Sequence, residues 1–248
     1  MLTNGEKKIE KERKNFAYRI QGGDMDIIDA IRTRKSIRGF KPDPVPKEIL
    51  REILKIAGCA PSAMNTQPWE FTVITGNVLE NVRRANVEKL NSGEKPHPDH
   101  VAAKWPDDSI YRNRQVELAK RIFQLMGIQR EDKEKRARWM ERGFRYFDAP
   151  AAIIISVDKA LSEAGPLLDI GAVMQTICIA ALDYGLGTCI EDQGIMYPGV
   201  LREFAGIPES KRIIIAIAVG YPDGDFPVNK LESTREPVEN TTTWCGFA

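Results

Sequence analysis

Hydrophobic residues at helical spacing predict two helices near the start of the folded chain. Three isoleucines between residues 27 and 31 would share one helix face, with Asp24 or Asp26 in place to cap the helix. A broader apolar stripe follows Pro46, which suits the first turn of a helix because proline has no amide hydrogen to leave unpaired. This second helix is expected to lie in the core. Its stripe consists of Ile49, Leu50, Ile53, Leu54 and Ala57.

Three short runs rich in β-branched and other apolar residues predict strands. Residues 71–75 end at a Gly-Asn pair, whereas residues 151–157 and 213–219 are apolar at almost every position, as in strands that are covered on both faces. Residues 167–182 are too long for a typical strand and apolar on nearly all sides, so they predict a buried helix that ends at Gly185. The mixture predicts an α+β fold with the two apolar strands at the centre of its sheet.

Polar and charged residues dominate the rest of the chain. A further helix is expected after the first strand, through about residue 90, and the charged stretch at residues 91–146 predicts a helical insertion. Residues 1–23 are charged and predict a short helix or a loose arm. Because no internal repeat or change of composition divides residues 24–248, we expect a single domain there. Scattered apolar anchors in residues 226–248 predict a tail that packs against a partner subunit.

Composition argues against several kinds of function. The chain has 248 residues, with 36 Lys and Arg against 35 Asp and Glu, so it lacks an overall positive field for nucleic acid or an anionic membrane. Its four cysteines show no Cys-x-x-Cys spacing, which argues against a zinc site and favours a reducing cytoplasm. Both histidines lie in one polar loop, so a catalytic triad is not expected. Neither a secretion signal nor a membrane-spanning segment is expected.

A basic segment at residues 34–38 is the first candidate for chemistry. Three cations surround Ser36 at the predicted end of a helix, and this combination of charge and hydroxyl suits a phosphate group. The simpler interpretation is a surface charge at a helix C-terminus, where Lys and Arg are favourable in any protein. For Lys35 both interpretations stay open.

A polar loop at residues 60–69 is the second candidate. Pro61 and Pro68 restrict its backbone, while Ser62, Asn65 and Gln67 supply the donors and acceptors that a planar heterocycle requires. Ordinary loop capping is the alternative, because Ser and Asn side chains often bind nearby backbone groups. For Ser62 this alternative is fully open.

The order and spacing of these segments resemble the nitroreductase family of FMN-dependent oxidoreductases. The resemblance implies a three-layer α/β/α sandwich with a central mixed, mainly antiparallel sheet and a helical lid at about residues 91–146. It also implies a homodimer with FMN at the interface, in which the tail at about residues 226–248 wraps the partner. Beyond the two segments, it rests on Asp148-Ala149-Pro150, residues 169–172, Gly185-Leu186-Gly187-Thr188-Cys189, Gly220-Tyr221-Pro222 and Arg235.

The resemblance further implies which residues contact FMN. Arg34 and Ser36 would contact the phosphate or the ribityl tail, and Arg38 would approach the pyrimidine edge of the ring and favour its reduced, anionic form. Lys35 would assist through its backbone or its charge, and the polar loop would contact the ring. The implied set is Arg34, Lys35, Ser36, Arg38, Pro61, Ser62, Asn65, Gln67, Gln193, Gly194 and Arg235.

Besides Lys35 and Ser62, three further members of this set have an alternative. Gln193 and Gly194 would lie near N5 of the ring, but an ordinary turn after a strand explains them equally well. Ile190 stands where many family members have tryptophan, so side-chain contacts at that point do not transfer. Arg235 would meet the phosphate, and an interface salt bridge is its alternative.

The implied activity is carried by the flavin, with no side chain as the catalytic residue. NADH or NADPH would pass hydride to FMN and leave, and a nitroaromatic, a quinone or a similar planar acceptor would then take the electrons in a ping-pong cycle. One alternative is an iodotyrosine deiodinase-like reductive dehalogenase, whose lid motif residues 107–111 match in part. Another is a flavin-binding or sensor protein without turnover. Flavin fragmentation is a further possibility within the same superfamily.

Overall fold

The computed structural model describes residues 25–101 and 104–247. The predicted arm at residues 1–23 lies outside the described residues, as does Asp24. Of the two expected helix caps, Asp26 holds this position, and its carboxylate accepts a hydrogen bond of 2.7 Å from the amide of Ile28. In order, the elements are α1 (Ile27–Thr33), α2 (Lys47–Ala57), β1 (Glu70–Thr75), α3 (Gly76–Asn91), α4 (Ile110–Leu125), α5 (Lys133–Phe144), β2 (Ala151–Asp158), α6 (Leu167–Asp183), β3 (Gly187–Glu191), α7 (Pro198–Ala205) and β4 (Lys211–Gly220).

The strands form one antiparallel sheet in the order β1-β2-β4-β3. Next to β3, Ser36 adds a parallel bridge to Thr188, so the basic segment continues the sheet at its edge. The sheet is thus mainly antiparallel with one parallel pairing, as the resemblance implies. The edge position of residues 34–40 is what fixes the basic segment on the fold.

Alternation along the central strands divides the core into two layers. Ile153 and Ile155 face one side, where they pack under α2 and α6. Ile154, between them in sequence, faces the other side and packs with α3 and α7. Helices therefore cover both faces of the sheet, and the predicted α/β/α sandwich is confirmed.

The three strands and the buried helix that the apolar patterns predict are confirmed. The predicted strands at residues 71–75, 151–157 and 213–219 lie within β1, β2 and β4, and the all-round apolar segment at residues 167–182 is helix α6. The charged insertion contains two helices, α4 and α5, which we call the lid helices because they lie within the lid that the resemblance predicts at residues 91–146. No helix among residues 25–101 and 104–247 combines the length and apolar character needed to cross a membrane.

Helix α1 differs from the expectation for an amphipathic helix packed on its own chain. Ala30 is its buried residue, whereas Ile27, Ile28 and Ile31 are 66%, 49% and 52% exposed. The isoleucine face that defines the sequence pattern is thus largely exposed on its own chain. Exposed apolar faces of this kind mark association surfaces.

Candidate functional site

The basic segment lies between the end of α1 and the edge of the sheet. Arg34 caps α1, donating its amide hydrogen to the carbonyl of Ala30 at 3.0 Å. Three residues on, the amide of Ile37 donates to the carbonyl of Thr188 at 2.9 Å, which fixes the segment along β3. Arg34, Lys35, Ser36 and Arg38 are all half-buried. The cations are therefore held on ordered backbone, although their side chains still reach the surface.

A cavity of about 820 Å³ opens beside this segment. It lies between the ends of α1 and α6, the start of β3 and the beginning of the C-terminal tail. Its volume falls within the range of about 300–1,000 Å³ that is typical of small-molecule sites. Five cations and two carboxylates line it, so the charged side chains around it are mainly positive. The cations are Arg32, Arg34, Lys35, Lys230 and Arg235, and the carboxylates are Asp223 and Glu232.

Arg235 therefore reaches the same cavity as Arg34 from the opposite end of the chain. Its guanidinium is exposed and donates to the hydroxyl of Ser233 at 2.6 Å and to the carbonyl of Thr234 at 3.0 Å. These are local contacts within the tail, which leave the other guanidinium hydrogens available. The sequence singled out Arg34, Lys35 and Arg235 but missed Arg32 and Lys230, because cations near two unrelated chain segments become neighbours only in the fold.

Arg38 lies away from this cavity, nearer the lid helices. Its guanidinium carbon is 5.8 Å from the centre of the Phe147 ring, and its Nη1 donates to the carbonyl of Ser36 at 3.4 Å. Neither Ser36 nor Arg38 lines the cavity. The basic segment thus presents Arg34 and Lys35 to the cavity and Arg38 to a separate place farther along the sheet edge.

The polar loop is strained and solvent-exposed. Met64, Asn65 and Gln67 have φ values of 50°, 58° and 45°, in the left-handed region that non-glycine residues rarely adopt. Each such residue costs of order 1–3 kcal/mol, and clusters of them occur at ligand sites. Asn65 and Gln67 are exposed and joined by a 3.1 Å hydrogen bond from Nε2 of Gln67 to Oδ1 of Asn65. The loop thus presents amide groups outward in a fixed arrangement.

Ser62 acts within this loop as a cap. Its hydroxyl oxygen accepts a 2.9 Å hydrogen bond from the amide of Gln67, the contact that the capping interpretation expects. Pro61 and Ser62 as ligand contacts stay predictions. The amide of Ala63 donates to Asp169 at 3.1 Å, and this bond ties the loop to the beginning of α6.

The loop and the cationic cavity lie at opposite ends of α6. The loop is tied to Asp169, whereas the cavity is lined by Leu182 and Gly185. Leu182 follows Asp169 by thirteen positions in this helix, a distance of about 20 Å at 1.5 Å per residue. Within one chain the two segments are therefore separated by most of the length of α6.

Glu191 and the turn after it form a buried polar cluster. The amide of Gly194 donates to Oε2 of Glu191 at 2.9 Å, and the carbonyl of Gly194 accepts from the hydroxyl of Tyr146 at 2.7 Å. Asn86 donates to the same carbonyl at 3.1 Å. Gly194 is buried, and a Cβ there would lie 2.4 Å from the Tyr146 ring. Its polar groups thus have partners inside the chain, and Gly194 as a flavin contact stays a prediction.

Burial changes the acid–base properties of this cluster. It raises the pKa of Glu191 from 4.5 to about 8, the charge of Asp192 adds to the rise, and hydrogen bonds from the amides of Gly194 and Gln193 oppose it. Burial also raises the pKa of Tyr146 well above its ordinary value. Oε1 of Glu191 has no hydrogen-bond partner among the described residues. A carboxyl that is neutral at pH 7 fits these surroundings.

Gln193 faces the lid helices. Its Nε2 donates to the carbonyl of Met140 at 3.3 Å, and its Oε1 lies 1.8 Å from the position that a Cβ on Gly143 would take. Gly143 thus leaves the space that this side chain fills. The turn and α5 are packed together here, and Gln193 as a flavin contact stays a prediction.

The family model for the nitroreductase family matches residues 31–221, which include the basic segment, the polar loop and all four strands. This chain belongs to the nitroreductase family. The chloronitrobenzene nitroreductase of Comamonas testosteroni is 33% identical over 219 residues, which cover 88% of this chain and 96% of the relative. The nitrobenzene nitroreductase of Ectopseudomonas oleovorans is 34% identical over 219 residues, which also cover 88% of this chain and 96% of the relative.

Solved nitroreductase structures have a similar fold over most of the chain. The FMN-dependent nitroreductase NfnB from Mycobacterium smegmatis, in complex with NADPH, has a TM-score of 0.81 at 26% identity, with 88% of this chain and 99% of that chain covered. The FMN and NADPH-dependent nitroreductase NfnB from sphigopyxis sp. strain HMH has a TM-score of 0.85 at 25% identity, with 90% and 100% covered. The nitroreductase-family resemblance of the sequence is confirmed.

The sequence analysis did not identify the buried polar residues Glu191 and Asn86, because the residues around them in the sequence give little indication of their burial. Glu191 ends an apolar strand, which is the one hint that its carboxyl is buried, whereas Asn86 lies within a helix of mixed polarity. Among the described residues, no group of three or more His, Cys, Asp or Glu side chains is arranged to hold a metal ion.

Proposed function

We propose that this protein is an FMN-dependent oxidoreductase that takes electrons from NADH or NADPH and passes them to a nitroaromatic, a quinone or a similar planar acceptor. The observation that carries the proposal is the cationic cavity beside the basic segment of a nitroreductase-family fold. Relatives named for nitrobenzene substrates support the acceptor class, and the NADPH complex of NfnB supports the donor. A ping-pong order and a cytoplasmic location are part of the proposal.

The cavity has the properties that the phosphate of FMN needs. A phosphate monoester carries nearly two negative charges at pH 7, and Arg binds it through paired, charge-assisted hydrogen bonds. Arg34 and Arg235 approach the cavity from two elements, and Lys35 adds charge between them. The five cations outnumber the two carboxylates, so a dianion is favoured there. These three residues would hold the phosphate, with Ser36 toward the ribityl chain.

The protein would tune the ring through Arg38 and the polar loop. When bound, FMN supplies the hydride and electron transfer that no side chain of this chain can perform. A guanidinium at the pyrimidine edge favours the electron-rich reduced form, because reduction places negative charge there. Asn65 and Gln67 would fix the ring through their exposed amides. Gln193 and Gly194 would approach N5 only through a rearrangement of the turn.

A homodimer resolves the separation of the two segments. Since the polar loop and the cationic cavity lie about 20 Å apart along α6, each flavin would need the cavity of one chain and the loop of the other. A two-fold axis perpendicular to α6 would produce such an exchange. It makes the two copies of α6 antiparallel, so the beginning of one helix lies next to the end of the other. The proposed site is therefore shared between two copies of this chain.

Exposed apolar residues support the same arrangement. Leu168 at the start of α6 is 86% exposed, Met64 in the loop is 96% exposed, and the isoleucines of α1 are exposed near the other end. In the tail, Val228 and Leu231 pack with α4 of their own chain, whereas Trp244 and Phe247 are 64% and 76% exposed. We assign this outer part of the tail to the partner's surface.

Anaerobic absorption spectra with and without reductant test the proposed function. The purified protein is expected to show oxidised flavin bands that bleach on addition of NADH or NADPH and return on addition of nitrobenzene or a quinone. Bands that neither pyridine nucleotide bleaches would instead support a flavin-binding protein without turnover. A protein that takes up no FMN after incubation with it would contradict the proposal.

A further inference from the structure

The backbone of Arg38 and Gly39 is held by side chains from distant parts of the chain. The amide oxygen of Asn229 accepts from the amides of Arg38 and Gly39, at 2.8 and 3.3 Å. The amide nitrogen of Asn229 donates to the carbonyls of Gly39 and Asp223, at 2.7 and 2.8 Å. Arg142 of α5 donates to the remaining group, the carbonyl of Arg38, at 3.1 Å. Every backbone polar group of this dipeptide thus has a side-chain partner.

Asparagine is the residue that this position requires. Two backbone donors meet its oxygen and two backbone acceptors meet its nitrogen, so one orientation of the amide satisfies all four groups. Aspartate has no donor for the two carbonyls, and leucine has neither donor nor acceptor. The side chain is 6% exposed, so an unpaired group here would not be compensated by solvent.

Packing around Gly39 adds to this restraint. A Cβ on Gly39 would lie 2.1 Å from Cγ of Phe226, so the ring occupies the space that any other residue would need. The guanidinium carbon of Arg142 lies 4.9 Å from the centre of the same ring. Residues 226–229 of the tail and Arg142 of the lid helices therefore hold one short backbone segment from two directions.

Asn229 also borders the cationic cavity, together with its neighbours Lys230 and Leu231. It thus lies between the place of the proposed phosphate and the place of Arg38. We infer that Asn229 is a positioning residue that sets the reach of Arg38 toward the flavin ring and thereby raises the reduction potential of bound FMN. This inference rests on the proposed function.

The test compares Asn229→Ala, Arg38→Ala and the double variant, after reconstitution with FMN. Both single variants are expected to lower the midpoint potential of bound FMN. Asn229→Ala is also expected to weaken FMN binding about tenfold, because it removes the buried hydrogen bonds that fix the backbone beside the cavity. In the double variant the loss of Asn229 should add little to the change in potential, because the side chain that it positions is already absent. Asn91→Ala, at an exposed asparagine at the end of α3, is the control.

Outcomes distinguish the inference from the proposed function. A wild-type protein that binds no FMN contradicts both. If the wild type binds FMN and Asn229→Ala leaves the potential of bound FMN unchanged, the positioning role is refuted while the proposed function stands. The same conclusion follows if the shift in potential of the double variant equals the sum of the shifts of Asn229→Ala and Arg38→Ala. Should Asn229→Ala not fold, Asn229→Ser serves in its place, since it is neutral and its single short hydroxyl cannot make all four hydrogen bonds of the amide. A potential equal to that of the wild type in Asn229→Ser would also refute the inference.

Discussion

A variant that carries both Arg34→Ala and Arg235→Ala is expected to fold and to lose FMN. The two guanidinium groups line the same cavity, and in the proposed site both bind the flavin phosphate. A hydrogen bond to a charged group contributes about 1.5–3 kcal/mol, so the pair together should change the dissociation constant by at least about 100-fold. The expected loss is larger than for any single substitution in the ring-binding part of the site.

FMN fluorescence titration of the flavin-free protein measures this loss directly. Arg51→Ala is the matched control, because Arg51 is an exposed arginine on α2 and does not line the cavity. The thermal midpoint of the flavin-free double variant should stay within a few degrees of the wild type, since neither arginine is buried. FMN bound with wild-type affinity by a folded double variant would exclude the cavity as the phosphate site.

The second large effect is expected at Glu191, where Glu191→Gln should remove a pH dependence of stability. Its pKa in the folded protein is about 8, above the ordinary value of 4.5, so the folded chain holds a proton that the unfolded chain has lost between these values. The free energy of unfolding therefore falls as the pH rises from about 4.5 to about 8, and the stability that the neutral carboxyl contributes is lost as the pH passes through 8. A neutral amide at this position should be stabilised relative to the wild type at pH 9, by up to a few kcal/mol.

Denaturant unfolding at pH 6 and pH 9 tests this expectation. The wild type should lose stability between the two pH values, and Glu191→Gln should lose markedly less. Glu203→Gln serves as the control, because Glu203 is exposed on α7 and its substitution should leave the wild-type pH dependence in place. An identical fall in stability for the wild type and Glu191→Gln would mean that Glu191 is ionised in the folded state at both pH values.

The core was predictable from the sequence because its pattern is set by burial on both sides. Residues 151–157 and 213–219 consist almost entirely of apolar residues, and only a central strand between two helical layers accommodates such runs. The all-round apolar character of α6 has the same cause. Local composition therefore identified these elements without knowledge of the fold, and the family resemblance supplied the order of the layers.

The site was less predictable because its parts come from distant segments of the chain and meet only through tertiary structure. The isoleucines of α1 give a clear helical pattern, but the pattern does not show that these side chains are largely exposed on their own chain. Ser62 and Gly194 have polar partners within the chain that only the folded structure reveals. Asn229 makes four hydrogen bonds to groups at residues 38, 39 and 223, and nothing in its local sequence indicates them.

Subunit complementation tests most directly whether each flavin site is shared between two chains. One subunit would carry Arg34→Ala and Arg235→Ala, the other Asn65→Ala and Gln67→Ala, and heterodimers would be isolated through two different affinity tags. In a shared site, one of the two sites in each heterodimer combines both defects and the other combines none, so about one FMN should bind per heterodimer with wild-type affinity. Each parent homodimer should bind FMN weakly. A heterodimer that binds FMN no better than its parents would contradict the shared site.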